Sequence, residues 1–158
     1  MLYPPEMRLG ILSDTHGLLR PEAVTALAGV DHILHAGDVG NIEILDHLQQ
    51  VATTTAIRGN IDIHGACADL SETEMITLGG ETIYMIHSVH DLDIEPTAAG
   101  ITMIVSGHSH KPLMETKRGV LYLNPGSAGP RRFNLPITVA IAEVTSTGIS
   151  AKIVPLLV

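Results

Sequence analysis

The chain has 158 residues, 45% of them apolar, and a net charge of −8 with histidine neutral. That length permits one well-filled core, and with aromatics at 3% and no Trp the core is aliphatic. The negative balance and the lack of any Lys or Arg run disfavour binding of a nucleic-acid polymer through a basic face.

Residues 8–12 form an apolar run that reads as a buried strand, and residues 14–17 are the turn after it. Pro21 suits the first position of a helix, and residues 22–27 continue with helical spacing. Residues 31–35 lead a second strand into Ala36-Gly37-Asp38. Asn41 is placed to cap a helix through Gln50, with Ile42, Leu45 and Leu48 at apolar spacing. A third strand over residues 53–57 precedes Gly59-Asn60. Alternation of strand and helix predicts a parallel sheet with right-handed crossovers here.

The second half changes character. Residues 74–78 and 82–86, joined around Gly79-Gly80, predict a tight hairpin. Further strands are expected at 113–117, 120–123, 137–144 and 149–154, and their spacing suggests antiparallel pairing. With no linker or repeat, residues 1–158 read as a single mixed α/β domain. The one cysteine, Cys67, rules out an internal disulfide framework and suits a reducing compartment. No apolar run approaches the roughly 20 residues that cross a bilayer, and no stretch is laid out as a signal peptide. A cytoplasmic protein with no membrane contact is therefore expected; oligomeric state is left open.

Five polar clusters stand after these apolar runs: Asp14-Thr15-His16, Gly37-Asp38, Gly59-Asn60-Ile61-Asp62, His87-Ser88 and Gly107-His108-Ser109-His110. Side chains just past the carboxyl ends of strands converge in space although the sequence separates them. Carboxylate oxygen, amide oxygen and imidazole nitrogen are what hard or borderline divalent ions prefer. Two aspartates, one asparagine and four histidines are about enough for two such ions. Taken singly, Asp14-x-His16 is a turn followed by a core histidine, and Gly59-Asn60 is a turn. All five in one order, each at a strand end, point to a binuclear site.

That order resembles the calcineurin-like metallophosphoesterase superfamily. Leu34-His35-Ala36-Gly37-Asp38, Arg58-Gly59-Asn60 and Asn124-Pro125-Gly126-Ser127 resemble its small bacterial and archaeal phosphodiesterase branch. The resemblance runs from Ile11 to about Arg131. It implies a four-layer sandwich of two mixed β-sheets flanked by helices, with the metals at one sheet edge. It places Asp14, His16, Asp38 and His110 on a first ion and Asp38, Asn60, His87 and His108 on a second, with Asp38 bridging. It implies two divalent ions, manganese first and iron, zinc, nickel or magnesium as alternatives. The implied reaction is hydrolysis of a small organic phosphoester, most simply a diester, by in-line attack of a hydroxide held between the ions, with Asp38, Asn60, Asp62 and His87 as the catalytic set. Asp62 is expected to accept a hydrogen bond from a ligand histidine.

Two positions depart from the pattern. Ile61 stands where many members carry a histidine that protonates the leaving group, and aliphatic carbon donates no proton. Ser88 replaces a glycine of the small branch, and the next histidine, His90, falls one residue late. His35 is expected beside the ligands or packed, whereas His32, His47 and His64 are expected at the surface or on a helix face. Arg131 and Arg132 read as solvated loop cations, and Cys67 has no activating neighbour. The rival reading is a non-catalytic protein-binding scaffold resembling the retromer subunit of this fold; the filled ligand positions favour the enzyme.

Overall fold

Which way each strand faces follows from alternation of its apolar side chains. In β1 (Met7–Leu12), Leu9 and Ile11 point into one hydrophobic cluster and Leu12 into another. In β2 (His32–His35), Leu34 and Ile33 divide the same way. The computed structural model describes residues 6–157; residues 1–5 and 158, included in the expected domain, lie outside the described residues.

β1, β2 and β3 (Thr53–Ala56) run parallel, linked through α1 (Pro21–Ala26) and α2 (Ile42–Val51). Pro21 opens α1 as expected, and the Asn41 side chain accepts the Glu43 amide at 3.0 Å to cap α2. Both helices pack on one face of the sheet, where Ala23, Leu27, Ile44, Leu45 and Leu48 meet Leu12, Ile33, Val139 and Ile141. A Cβ at Gly10 would press on Leu27 and Val30, so a glycine in mid-strand lets the segment after α1 approach closely. Antiparallel β9 (Thr138–Thr145) and β10 (Gly148–Pro155) complete the order β10-β9-β1-β2-β3.

The second sheet has the order β4-β5-β6-β8-β7. Its β4 (Thr73–Leu78) and β5 (Glu81–Ile86) form the expected hairpin. Gly79 and Gly80, at φ 60° and 86°, supply the two left-handed residues of its turn. β7 (Leu113–Lys117) and β8 (Val120–Asn124) form another hairpin. The sheet is mixed, as the resemblance implied: β6 (Met103–Val105) lies between β5 and β8 and is parallel to both, where the spacing of the strands suggested antiparallel pairing. Three residues carry no pattern that announces a partner.

The two mixed five-stranded sheets sandwich a core of Leu9, Ile11, Leu34, Ile83, Met85, Met103, Val105 and Ala140, all fully buried. Each such large aliphatic side chain contributes roughly 1.5–3 kcal/mol. The outer layer over the second sheet differs from the helical flank expected. It is a 3₁₀ turn, Val89–Asp91, and the loop after it, whose Val89, Leu92, Ile94 and Ile101 cover Ile86, Ile104 and Val120. Pro96 and Gly100 within that loop disfavour a regular helix. No described helix is long and apolar enough to cross a membrane.

Candidate metal centre

The loop after β1 runs alongside the loop after β2. Asp14 N–H donates to Gly37 C=O at 3.0 Å, His16 N–H to Asp38 C=O at 2.9 Å and Gly17 N–H to Val39 C=O at 2.9 Å. This ladder sets Asp14 and His16 beside Asp38. From the second sheet, Gly107 N–H donates to His87 C=O at 2.9 Å, which draws the loops after β5 and β6 together. Ligand candidates from both sheets therefore meet at one edge of the sandwich.

Their backbones are unusual. Asp14, His16, Asp38, His108 and His110 all have φ between 46° and 72°, and only Arg118 and Phe133 join them among the described non-glycine residues. Such conformations cost about 1–3 kcal/mol each and persist where the surrounding structure dictates them. Two glycines make the approach possible. A Cβ on Gly59 would collide with the Asp38 carboxylate and amide, and one on Gly107 with Ser13 Oγ and the Asp14 carboxylate.

Asp14, Asp38 and His87 each have one side tied to protein and the other facing their neighbours. Asp14 Oδ2 accepts from Ser13 Oγ at 2.6 Å and from His108 N–H at 3.0 Å. Its Oδ1 then faces His110 Nε2 at 3.3 Å, His16 Nε2 at 3.6 Å and His87 Nε2 at 3.8 Å. Asp38 Oδ1 accepts from Ile61 N–H at 3.1 Å, while Oδ2 lies 3.3 Å from both His16 Nε2 and His87 Nε2. His87 donates from Nδ1 to Ala36 C=O at 2.7 Å, which leaves the Nε2 lone pair directed at the carboxylates. The Asn60 side-chain amide sits among these groups, and its NH₂ can donate to His108 Nδ1 at 3.2 Å, His87 Nε2 at 3.1 Å and both Asp38 carboxylate oxygens at 3.3 Å.

This arrangement has a surplus of lone pairs. Asp14 Oδ1, His16 Nε2 and both His110 ring nitrogens are buried without a hydrogen-bond partner. Asp14, His16 and His110 offer ligand atoms within 4.8 Å of one another, and so do Asp14, Asp38 and His87. Asp14 is common to both sets, and Asp38 Oδ2 is 3.3 Å from one histidine of each, His16 and His87. The donor set, its orphaned atoms and its mixed O/N chemistry fit divalent metal.

The electrostatics agree. Burial pushes the Asp14 carboxyl up, but the His110 and His16 rings and the Ser13 hydroxyl outweigh it and hold the group well below the usual carboxylate range. Burial is likewise overcome at Asp38 by His16 and His87. Asp14 and Asp38 lift His16 to about 9. Burial lowers His87, yet Asp38 and the Ala36 carbonyl reverse the direction. The two buried carboxylates thus favour positive charge in their midst.

Other expectations are redistributed. Asp62, 2% exposed, accepts from Val39 N–H at 3.0 Å, Gly40 N–H at 2.9 Å and Gly59 N–H at 2.8 Å. This corrects the expected role: three backbone amides fill its acceptor positions, and it orients loops rather than a ligand ring. His35 is fully buried and burial lowers it to about 4, so it is neutral. Its Nδ1 accepts from Gly37 N–H at 3.1 Å and its Nε2 meets Thr15 Oγ1 at 3.0 Å. His32, expected at the surface, is buried in β2 with Nε2 2.8 Å from Thr55 Oγ1. Arg131 donates to Leu135 C=O at 3.1 Å within its own loop. Ser13 was not expected to contribute; its place next to Asp14 is the only sequence signal it gave.

Beside Asn60, His87 and His108 opens a cleft of about 680 Å³ whose walls include Arg58, Glu72, Tyr84, Asp91 and Asp93. Arg58 is paired with Glu72 at 2.8 Å.

Fold and cluster together define a two-sheet α/β sandwich with a carboxylate–imidazole centre suited to metal. The family model for the calcineurin-like phosphoesterase superfamily domain matches residues 7–147, and the chain belongs to that superfamily. A probable metallophosphoesterase of Methanocaldococcus jannaschii is 30% identical over 159 residues, covering 95% of this chain and 82% of the relative. Vacuolar protein sorting 29 of Cryptosporidium parvum superposes with a TM-score of 0.80 at 18% identity, covering 96% and 92% of the two chains. An archaeal phosphodiesterase superposes at 0.77 with 20% identity, covering 94% and 100%. These two structural likenesses establish the shared fold.

Proposed function

We propose that the protein is a metal-dependent phosphodiesterase acting on a small organic phosphate in the cytoplasm. The observation that carries this reading is the cluster of buried, unpartnered lone pairs on Asp14, His16 and His110, set beside Asn60, His87 and His108, which line a substrate-sized cleft. Asp14, His16, Asp38 and His110 would hold one divalent ion, and Asp38, Asn60, His87 and His108 a second; manganese is the first choice, with iron, zinc, nickel or magnesium as alternatives. When bound, such ions acidify water and place positive charge against the phosphoryl oxygens.

The chain's own residues do the positioning. Ser13 and the His108 amide turn Asp14, Ile61 N–H turns Asp38, and Ala36 C=O fixes the His87 tautomer. Asp62 clamps the two loops that carry Asp38 and Asn60. Ile61, 40% exposed beside the cleft, donates no side-chain proton, which favours esters with good leaving groups. The scaffold reading shares its fold with vacuolar protein sorting 29, but nothing in a binding role requires this many orphaned donors to converge.

The test is metal analysis combined with turnover. Protein saturated with manganese should hold about two ions per chain and cleave bis-p-nitrophenyl phosphate faster than p-nitrophenyl phosphate. Asp38→Ala should lose metal and activity together. One ion or none in the native protein, or an active Asp38→Ala, would overturn the assignment.

A further inference from the structure

Two cavities meet at the turn formed by residues 88–90, and His108 borders both. The first is the cleft described above, where Asp91 and Asp93 add negative charge and the one Arg on the wall, Arg58, is paired with Glu72. The second, of about 420 Å³, lies over the hairpin of β7 and β8. Its apolar walls are Val89, Pro112, Leu113, Tyr122 and Leu123, and Lys111 and Asn124 are among its polar ones.

The second cavity is apolar by construction. Leu113, Glu115 and Lys117 share one face of β7, and Tyr122 stands opposite Glu115 on β8. Lys117 Nζ lies 5.1 Å from the Tyr122 ring centroid and 3.6 Å from Glu115, so the far wall ends in a neutralised pair. Leu113 is nevertheless 50% exposed. A concave apolar surface left open beside a polar centre marks a ligand site. A phosphate monoester has one organic group and needs one cavity. Two cavities, one acidic and one apolar, on either side of His108 accommodate two different groups on one phosphorus.

We propose that the cavity over β7 and β8 is a subsite for an apolar ester arm, so that the substrates are asymmetric phosphodiesters with an alkyl or aryl group there and a polar group in the acidic cleft. This rests on the phosphodiesterase reading of the same centre.

Dialkyl phosphates test it as ligands, because their alkoxide leaving groups make them slow substrates. Calorimetry on zinc-loaded protein with dimethyl, diethyl and dibutyl phosphate should show roughly four-fold tighter binding per methylene on the buried arm, on the order of 50-fold from dimethyl to dibutyl. Leu113→Asp should flatten that dependence to a few-fold. In methyl-labelled protein, dibutyl phosphate should shift Leu113 and Val89 signals, which reads occupancy without any variant. Affinity independent of chain length, or dibutyl phosphate leaving both methyl signals unmoved, overturns the subsite while leaving the phosphodiesterase reading intact. Failure of every dialkyl phosphate to bind, with p-nitrophenyl phosphate still hydrolysed, overturns the diester reading and the subsite with it.

Discussion

Asp62 touches no ligand candidate, yet its replacement should damage both stability and metal binding. Its Oδ2 accepts Val39 and Gly59 N–H at 3.0 and 2.8 Å, and its Oδ1 accepts Gly40 N–H at 2.9 Å. A hydrogen bond to a charged group contributes about 1.5–3 kcal/mol net. Val39 is fully buried, so its amide would be stranded at the upper end of that range. The Gly40 and Gly59 amides are partly buried and would regain water, leaving about 1 kcal/mol each. Asp62→Ala should therefore destabilise the metal-free fold by about 5 kcal/mol, a large share of a typical 5–15 kcal/mol. Asp62→Asn keeps one acceptor oxygen and turns an NH₂ toward a donor, so it should fall between. Because the freed loops carry Asp38 and Asn60, metal affinity should drop by about 10–100-fold, as for other residues that orient ligands. Guanidinium unfolding of the chelated protein and manganese titration measure the two effects. An Asp62→Ala protein within about 1 kcal/mol of the parent, with unchanged metal affinity, would refute the clamp.

Three more outcomes follow from the site. Asp14 and Asp38 raise His16 to about 9 from 6.5, so its contribution to the metal-free fold is complete below pH 6.5 and is lost as pH rises through about 9. Metal must displace that proton, so affinity should climb across the same window, by up to about ten-fold per pH unit for that one proton; thermal unfolding in chelator and titration at several pH values should show opposite slopes, and parallel slopes would contradict the assignment. Gly59→Ala should cost roughly 1–3 kcal/mol as overpacking and depress activity disproportionately, because the added methyl collides with the Asp38 carboxylate; an active, normally stable variant would show that the loop yields. With Ile61 beside the cleft, rates across a series of aryl diesters should fall steeply with leaving-group pKa, and a flat series would mean that another group, His90 on the cleft wall first, protonates the departing oxygen.

The local devices were legible. Pro21, the Asn41 cap and the Gly79-Gly80 turn act through neighbours a few residues away, and each stands where the sequence placed it. The strand-end positions of the ligand candidates were legible for a similar reason: each follows its own apolar run. What escaped depends on residues far apart in the chain. The parallel seat of β6 between β5 and β8 is decided by crossovers on either side, not by its three residues. Asp62 found its partners 22 and 23 residues upstream, where no periodicity points. The burial of His32 follows from Thr55 on the neighbouring strand offering it a hydroxyl.

The ligand candidates come from both sheets: Asp14, His16, Asp38 and Asn60 follow β1, β2 and β3, whereas His87, His108 and His110 follow β5 and β6. Between the sheets themselves there is only aliphatic contact, which is non-directional and tolerates sliding. An ion gripped from both sides is therefore a rivet through the sandwich, joining segments nearly a hundred residues apart as firmly as a covalent staple would. Loss of a bound ion would undo that fastening, so chelation is expected to loosen one sheet against the other as well as to empty the centre.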